Sequence, residues 1–202
     1  MKLRYSANSP FVRKVMVVAA ELGLADRIQT VPTDTSDPKS GLSADNPLGK
    51  VPALITDDKE VGTLYDSAVI CEYLDSLHDG PKLHPSDGIA RWHALRRETL
   101  ADGIMDAAVL RRMESQRPAN ERSAAWDAKQ RSKVMAGLDV LEREAARFVE
   151  PLAIDQIAVA CALGYLDFRF AAEPWRDGHP TLARWYDRFA KRPSMATTVP
   201  PG

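Results

Sequence analysis

The amino-acid sequence predicts an α/β domain over residues 1–78 and an all-helical domain over residues 86–202, joined by a linker at 79–85. In the first part, short strand patterns alternate with helical ones, whereas the remainder shows helical periodicity almost throughout. The sequence His-Asp-Gly-Pro at 78–81 separates the two parts, because glycine followed by proline interrupts regular structure. A chain of 202 residues is long enough for two domains that share an interface.

Each element of the α/β domain has a local cause. The first helix, from Pro10 to Leu22, carries apolar residues at helical spacing and is closed by Gly23. The loop 33–49 is polar and contains proline and glycine, with room for one helical turn. The predicted strands are Leu3–Tyr5, Ile28–Val31, Ala53–Thr56 and Val61–Leu64, the last two forming a hairpin, and a further helix begins at Asp66-Ser67. If the turn in the loop is counted as a helix, the element order is βαβαββα.

The second domain is predicted to consist of four helices: about 88–116, about 121–148, Ile154 to about Ala172, and Pro180 to Ala190. The stretch Ile157–Leu166 is apolar on all sides, which is typical of a fully buried central helix. Residues Thr197–Gly202 are expected to form a mobile tail.

Composition argues against several classes of function. The formal net charge is −1, so there is no electrostatic reason to expect nucleic acid or an acidic membrane surface as a partner. No apolar run approaches the length of a membrane span, and the N-terminus lacks the apolar core of a signal peptide. Cys71 and Cys161 each lie in an apolar helical pattern, which favours buried free thiols over a disulfide. The expected compartment is therefore the reducing cytoplasm.

Ser9 and Pro10 stand where the first helix begins. A hydroxyl at this position lies beside unpaired backbone N–H groups and the positive end of the helix dipole. Such a place stabilises an anion, which could be a carboxylate, a phosphate or a thiolate. A purely structural interpretation is also open, because serine is a preferred N-cap and proline is favoured at the first helical position.

The segment Asn46–Pro52 leads into the third predicted strand. Val51 must be extended, because a proline follows it. A cis bond between Val51 and Pro52 would expose the N–H and C=O of Val51 to a ligand, whereas the alternative is a plain turn before a strand. Lys50 is either a solvated side chain or a partner for a ligand carboxylate.

Asp66 and Ser67 begin the next helix and again combine a capping side chain with free N–H groups. They could act as caps alone, or they could hold a ligand carboxylate while Asp66 pairs with a ligand ammonium group. Three places of this kind in one small domain suit an elongated, zwitterionic, peptide-like ligand.

Three motifs in this order resemble the thioredoxin-like domain of cytosolic glutathione transferases: Ser-Pro-Phe-x-x-Lys-Val from Ser9, Asn-Pro-Leu-Gly-Lys-Val-Pro-x-Leu from Asn46, and Asp-Ser-x-x-Ile-x-x-Tyr-Leu from Asp66. The likeness is greatest to bacterial serine-type members, with kinship to the tau, zeta and omega classes. Segments 156–167 and 179–185 are similar to the family's second domain, so the resemblance covers essentially the whole chain. It implies a thioredoxin-like N-terminal domain followed by an all-α C-terminal domain.

The resemblance implies that glutathione is the ligand, that Ser9 donates its hydroxyl to the glutathione sulfur, and that Phe11 belongs to the same site. A free thiol has a pKa of roughly 8.5 and is mostly protonated at neutral pH. A hydroxyl donor and a helix N-terminus favour the thiolate, which is the attacking species. The implied activity is transfer of glutathione to a small hydrophobic electrophile.

The resemblance also assigns the remaining glutathione contacts. Val51, before a cis Pro52, would pair backbone to backbone with the cysteinyl unit. Lys50 would meet the glycyl carboxylate. Asp66 and Ser67 would hold the γ-glutamyl end.

Beyond the glutathione site, the resemblance implies a homodimer and glutathione as co-substrate, with no covalently bound cofactor. Met105 and Val109, in the helix 88–116, are expected to contact the second substrate. The four histidines have no metal-ligand spacing, so no metal is expected.

The chain departs from the family pattern at two positions. Relatives usually begin the buried helix of the second domain with a serine or threonine cap, whereas this chain has Ala153-Ile154-Asp155-Gln156. Loss of such a cap costs ~1 kcal/mol, and Asp155 is the remaining candidate cap. Asp66 stands where many relatives carry glutamate.

Two other functions stay open. A glutathione-dependent thiol oxidoreductase would prefer a cysteine nucleophile, and position 9 is serine. A non-catalytic glutathione-binding or protein-interaction module on the same fold would retain the binding residues without turnover.

Overall fold

The computed structural model describes residues 1–201, which form two compact units. The first unit contains Met1–Ser86 together with the C-terminal segment from Pro193, and the second contains Asp87–Arg192. The predicted linker at 79–85 thus belongs to the first unit. So does the end of the chain, which the sequence places with the helical domain.

The first unit is built on a four-stranded sheet. Its strands are β1 (Lys2–Tyr5), β2 (Gln29–Pro32), β3 (Ala53–Ile55) and β4 (Thr63–Leu64), and its helices before the second unit are α1 (Pro10–Glu21), α2 (Leu42–Asp45) and α3 (Ser67–Ser76). The strand order is β2-β1-β3-β4, with β1 and β2 parallel and the other neighbours antiparallel. The predicted order βαβαββα and the thioredoxin-like fold are confirmed.

The register of the strands determines which loops meet. Tyr5 pairs with Pro32 across the parallel ladder, and Arg4 pairs with Ala53 across the antiparallel one. Leu64, the last residue of β4, lies opposite the middle of β3. The ends of β1, β2 and β4 and the beginning of β3 therefore lie along one edge of the sheet, because antiparallel neighbours run in opposite directions.

Helix α1 forms because its apolar residues recur three or four positions apart and cover one face. Among its buried apolar residues are Val12, Val15, Val18 and Ala19. After the helix, Gly23 adopts φ +68°, a left-handed conformation that glycine accepts without steric cost. Helix α1 packs against α3, whose Ile70 and Leu74 are completely buried.

The α-helices of the second unit are α4 (Gly88–Gln116), α5 (Ala124–Glu144), α6 (Ile154–Arg169) and α7 (Pro180–Phe189). Every residue of α6 from Ile154 to Leu166 is buried, which confirms the predicted central helix. Helix α4 packs against both α6 and α5. Phe148, Trp185 and Phe189 form an aromatic cluster with ring centroids 4.8 and 4.9 Å apart.

The start of α6 has no side-chain cap. Asp155, the candidate cap, instead accepts a hydrogen bond from Arg97 Nε at 2.5 Å, so the expectation that it caps is wrong. Gln156 donates its amide to the backbone carbonyls of Val149 and Pro151, at 3.1 and 3.3 Å. The side chains at this helix end therefore hold α4 and the preceding loop rather than the helix's own N–H groups.

Residues 193–198, near the end of the chain, pack against the first helix of the same unit. Helix α8 (Pro193–Ala196) contacts α1, and Met195 is completely buried. The Thr198 hydroxyl donates to the carbonyl of Ser194 at 2.8 Å. The expected mobility of residues 197–201 stays a prediction, although Thr198 is hydrogen-bonded, and Gly202 lies outside the described residues. This segment contains few apolar residues, so its sequence pattern does not predict that it packs against α1.

Three simpler expectations concern the whole chain. Cys71 and Cys161 are buried and form no disulfide, as predicted. Within residues 1–201, no helix is long and apolar enough to cross a membrane. The same residues contain no group of three or more His, Cys, Asp or Glu side chains placed to hold a metal ion.

Asp75 attaches the end of α3 to the segment that follows it. Its buried carboxylate accepts hydrogen bonds from the N–H groups of Leu83 and His84, at 3.0 and 2.8 Å, and contacts the rings of His78 and His84. Burial acts to raise the pKa of Asp75, but these hydrogen bonds outweigh it and hold the pKa below its usual value. This clasp explains why residues 79–85 belong to the first unit.

We predict that Asp75→Asn lowers the free energy of unfolding by about 1–3 kcal/mol at neutral pH, because two buried N–H donors lose a charged acceptor. A carboxylate whose pKa is depressed in the folded state contributes stability above its unfolded pKa, about 3.9. That contribution is lost as the pH falls through the folded pKa. Urea denaturation over a pH series should therefore show the difference between the two proteins shrinking below about pH 4. A difference that stays constant in acid would contradict the assignment.

Gly137 allows α5 to approach α4 closely. A Cβ atom at this position would lie 2.7 and 2.8 Å from Cγ1 and Cδ1 of the buried Ile104. Gly103, on the exposed side of α4, is the control position, because a Cβ atom there would have no described atom within 4 Å.

We predict opposite effects for alanine at these two glycines. Gly137→Ala should lower the free energy of unfolding by about 1–3 kcal/mol through overpacking, which exceeds the gain of up to about 1 kcal/mol from helix propensity. Gly103→Ala gains helix propensity alone and should raise the free energy of unfolding by up to about 1 kcal/mol. Thermal denaturation measures both, and Tm shifts of the same sign would contradict this account of the α4–α5 contact.

Candidate functional site

The three predicted ligand-binding places lie at one edge of the sheet in the first unit. Ser9 follows β1, Val51 and Pro52 precede β3, and Asp66 follows β4. The register places all of these strand ends on the same side, as described above. The fold thus brings together residues that are more than fifty positions apart in the sequence.

Ser9 is the N-cap of α1, with extended backbone at φ −85° and ψ 123°. Its Oγ accepts a hydrogen bond from Val12 N–H at 3.3 Å. The hydroxyl hydrogen of Ser9 has no acceptor within residues 1–201. Because a hydroxyl can accept and donate at the same time, Ser9 can cap the helix and still offer its hydrogen to a ligand. The structural and the functional interpretations of this serine are therefore compatible.

The first turn of α1 is electropositive. Pro10 has no N–H, and the Val12 N–H is bound to Ser9, so the Phe11 N–H is left without a partner among the described residues. No acidic residue lies in this turn. An anion beside Ser9 would therefore meet the positive end of the helix dipole without opposition from a carboxylate in this turn. Phe11 itself is partly exposed.

The peptide bond between Val51 and Pro52 is cis, as the family resemblance implies. Within the described residues, no hydrogen bond uses the N–H or C=O of Val51, although Val51 is only partly exposed. These two groups form a donor and acceptor pair beside β3, where an extended peptide could bind. Lys50 is exposed and its ammonium group has no partner among residues 1–201.

Asn46 holds the loop that carries Val51. Its side-chain amide donates to the carbonyl of Lys50 at 2.8 Å, and its Oδ1 accepts from Leu48 N–H at 3.0 Å. Gly49 completes the turn with φ +62°, which glycine adopts without steric cost. The sequence marks Asn46 only as part of a motif. Its supporting role appears once its burial and both hydrogen bonds are known.

Asp66 and Ser67 form the start of α3. The Asp66 carboxylate caps the helix by accepting from Ala68 N–H at 3.0 Å and remains exposed. Ser67 is 2% exposed, and neither its N–H nor its hydroxyl has a partner among the described residues. This helix end thus offers hydrogen-bond donors at Ser67 and a negative charge at Asp66, which is the combination required by an amino-acid end group.

A cavity of about 490 Å³ lies at the ends of β1 and β2, on the side of β1 that faces away from β3. It is lined by the last residues of β1 and β2 and by those that follow them: Tyr5, Ser6, Ala7, Pro32, Thr33, Asp34 and Thr35. Hydrogen bonds from the Ser36 hydroxyl and N–H hold the pKa of the exposed Asp34 carboxyl below its usual value, so it is charged at neutral pH. The sequence gives no sign of this cavity, because residues 33–35 have the composition of an ordinary polar loop.

The two residues expected to contact a second substrate differ in accessibility. Met105 is completely buried in the second unit and has no surface to offer a substrate in this structure. Val109, one turn further along α4, is partly exposed.

Two family models match this chain. Residues 8–77 match the family described as glutathione S-transferase, N-terminal domain, and residues 106–188 match the family described as glutathione S-transferase, C-terminal domain. A protein of Escherichia coli K12, called uncharacterized GST-like protein YibF, is 37% identical over 205 residues. That similarity spans all of this chain and 99% of the bacterial protein. The chain therefore belongs to the glutathione S-transferase family.

Solved structures support the same assignment. A glutathione transferase family member from Pseudomonas fluorescens Pf-5, with bound glutathione, is 46% identical with a TM-score of 0.93, covering 100% of this chain and 99% of that one. A glutathione S-transferase from Methylobacillus flagellatus KT, with glutathione bound, is 40% identical with a TM-score of 0.91, covering 99% of both chains.

We predict that Ser9→Ala lowers the free energy of unfolding by about 0.5–1 kcal/mol, at the low end for a lost cap because the bond to Val12 is long. Ser9→Asp retains an acceptor and adds negative charge at the positive helix end, so its stability should equal or exceed that of the wild type. Urea denaturation at neutral pH tests both. Equal stability of the alanine variant and the wild type would show that the capping bond contributes nothing.

Proposed function

We propose that this protein is a glutathione transferase of the serine type, which ionises the glutathione thiol and positions the thiolate for attack on an electrophile. The proposal rests on the Ser9 hydroxyl at the positive end of α1, whose hydrogen has no acceptor among residues 1–201. The unpaired backbone of Val51 at the same sheet edge supports it, as do the relatives with bound glutathione.

Glutathione would lie along the sheet edge as an extended peptide. Its cysteinyl N–H and C=O would pair with the backbone of Val51, as an added strand does. The γ-glutamyl carboxylate would accept from Ser67, and its ammonium group would face Asp66. Lys50 would approach the glycyl carboxylate. This orientation directs the sulfur toward Ser9.

The interactions at Ser9 are strong enough for the chemistry. A hydrogen bond to a charged group contributes roughly 1.5–3 kcal/mol, and one pKa unit corresponds to about 1.4 kcal/mol. The hydroxyl alone could therefore lower the thiol pKa by about one to two units from roughly 8.5. The dipole of α1 adds about 0.3–1 kcal/mol in the same direction. At neutral pH the bound sulfur would then be mainly thiolate.

The proposed reaction is a nucleophilic attack by this thiolate. The sulfur lone pair forms a bond to the electrophilic carbon, and the leaving group departs with its electron pair. We place the electrophile in the cavity beside Ser6, because the segment that carries Ser9 forms its wall: Ser9 N–H donates to the Ser6 carbonyl at 3.0 Å. Val109, in the second unit, is partly exposed, and the expectation that it contacts a substrate stays a prediction. The complete burial of Met105 argues against a direct role for that residue.

The alternatives are less well supported. A thiol oxidoreductase would need a cysteine at the start of α1, but position 9 is serine and both cysteines are buried in helices α3 and α6. A non-catalytic module would bind glutathione with an unshifted thiol pKa, which distinguishes it from an enzyme.

We also propose a homodimer in the cytoplasm. Two large apolar side chains near the start of α4, Ile89 and Trp92, are 75% and 70% exposed, which is unusual for a monomer surface. The two reduced cysteines are consistent with a reducing compartment. Light scattering after size exclusion would measure the oligomeric state.

We predict that Ser9→Ala and Ser9→Asp each lower kcat/KM by at least about tenfold with an activated aryl halide, since both lose the hydroxyl donor. Ser9→Thr keeps the donor and should retain most of the activity. The aspartate variant separates the donor from the cap, because its carboxylate can still cap α1. Turnover that survives in the alanine variant would exclude the proposed role of Ser9.

We predict that Asp66→Asn weakens glutathione binding by about tenfold, because the ammonium partner loses its charge while the amide can still cap α3. Glu60→Gln, on an exposed turn of the same unit, is the matched control and should bind like the wild type. Calorimetry with glutathione measures both. Equal affinity of Asp66→Asn and the control would place the γ-glutamyl end elsewhere.

A further inference from the structure

The C-terminal segment, residues 193–201, lies against α1 and is bound near both ends of that helix; we call it the strap. At the last residue of α1, Glu21 accepts a hydrogen bond from the Ser194 hydroxyl. Near the beginning of the helix, Arg13 Nη2 donates to the Met195 carbonyl at 3.1 Å, and its Nε donates to Thr198 Oγ1 at 3.4 Å.

Arg13 is an unusual buried cation. It is 8% exposed, yet no carboxylate within residues 1–201 forms an ion pair with it. Its side-chain partners, the Met195 carbonyl and the Thr198 hydroxyl, accept two hydrogen bonds from the guanidinium but do not neutralise its charge. Burial of an unpaired charge is costly, so its retention calls for a nearby anion or a functional reason.

Arg13 is connected directly to Ser9. Its N–H donates to the Ser9 carbonyl at 3.0 Å, which is the first hydrogen bond of α1. Residues four positions apart are neighbours on one helix face, about 6 Å apart along the axis. Whatever fixes Arg13 therefore also fixes the turn that presents the Ser9 hydroxyl, because the two residues are joined by this backbone hydrogen bond and lie one helical turn apart.

We propose that Arg13, held by the strap, is a positioning residue for the glutathione thiolate. It fixes the first turn of α1, and it carries a buried positive charge without an ion-pair partner among residues 1–201 on the residue one helical turn after Ser9. This inference rests on the proposed function. Because Val51 and Asp66 lie on other elements, loss of Arg13 should raise the pKa of the bound thiol while the peptide part of glutathione binds almost as before.

The test compares Arg13→Gln with Arg27→Gln, an exposed arginine of the same unit. The pKa of bound glutathione is measured from the ultraviolet absorbance of its thiolate across a pH series. We expect Arg13→Gln to raise that pKa by about one unit, a tenfold loss of thiolate at neutral pH, and Arg27→Gln to leave it unchanged. Binding of S-methylglutathione, which has no ionisable thiol, should change by less than about threefold.

Thr198→Val provides a second, milder variant that keeps the guanidinium but removes one of its acceptors. The pKa of the bound thiol should rise by about half a unit in Thr198→Val. This variant tests the role of Arg13 if Arg13→Gln does not fold. A bound-thiol pKa that stays at the wild-type value in a folded Arg13→Gln protein, or in Thr198→Val, overturns this inference alone. A wild-type protein that binds no glutathione, or binds it with an unshifted thiol, overturns the proposed function and this inference together.

Discussion

The pairing of β1 with a parallel neighbour on one side and an antiparallel neighbour on the other is the constraint on which the candidate site depends. Because β2 runs parallel to β1, the residues after both strands reach the same sheet edge. Because β3 runs antiparallel, the residues before it arrive there as well. A slip of one residue would turn Arg4 into the core in place of Leu3, which is completely buried. The burial of Leu3 therefore fixes the register of the strands, and this register determines which loops meet at the candidate site.

In the proposed function, the start of α1 serves stability and catalysis with the same atoms. Ser9 accepts a hydrogen bond that closes the helix end, and its hydroxyl hydrogen remains to be donated to the proposed thiolate. The turn contains no acidic side chain, and the nearest buried charge along the helix is the cation of Arg13. The electrostatic potential at this helix end is therefore positive, and no acidic side chain of the same turn offsets it.

The second unit shows how packing replaces a missing local signal. Helix α6 has no side-chain cap, yet it is buried over nearly its whole length. Its position depends on contacts with α4, including the bond from Arg97 to Asp155, and α4 in turn packs closely against α5 at Gly137. Tertiary contacts of this kind contribute more to a buried helix than its own end does.

The sequence by itself determined the parts of this protein that depend on neighbouring residues. Caps such as Ser9 and Asp66, the Val51–Pro52 turn and the apolar periodicity of α6 are local features, so the fold class and three candidate binding places could be predicted. The tertiary structure alone decided what joins distant segments. The cavity depends on the ladder between β1 and β2, and the docking of the strap depends on α1. Neither leaves a periodic pattern in the residues involved, because each arises from surfaces that exist only after the chain has folded.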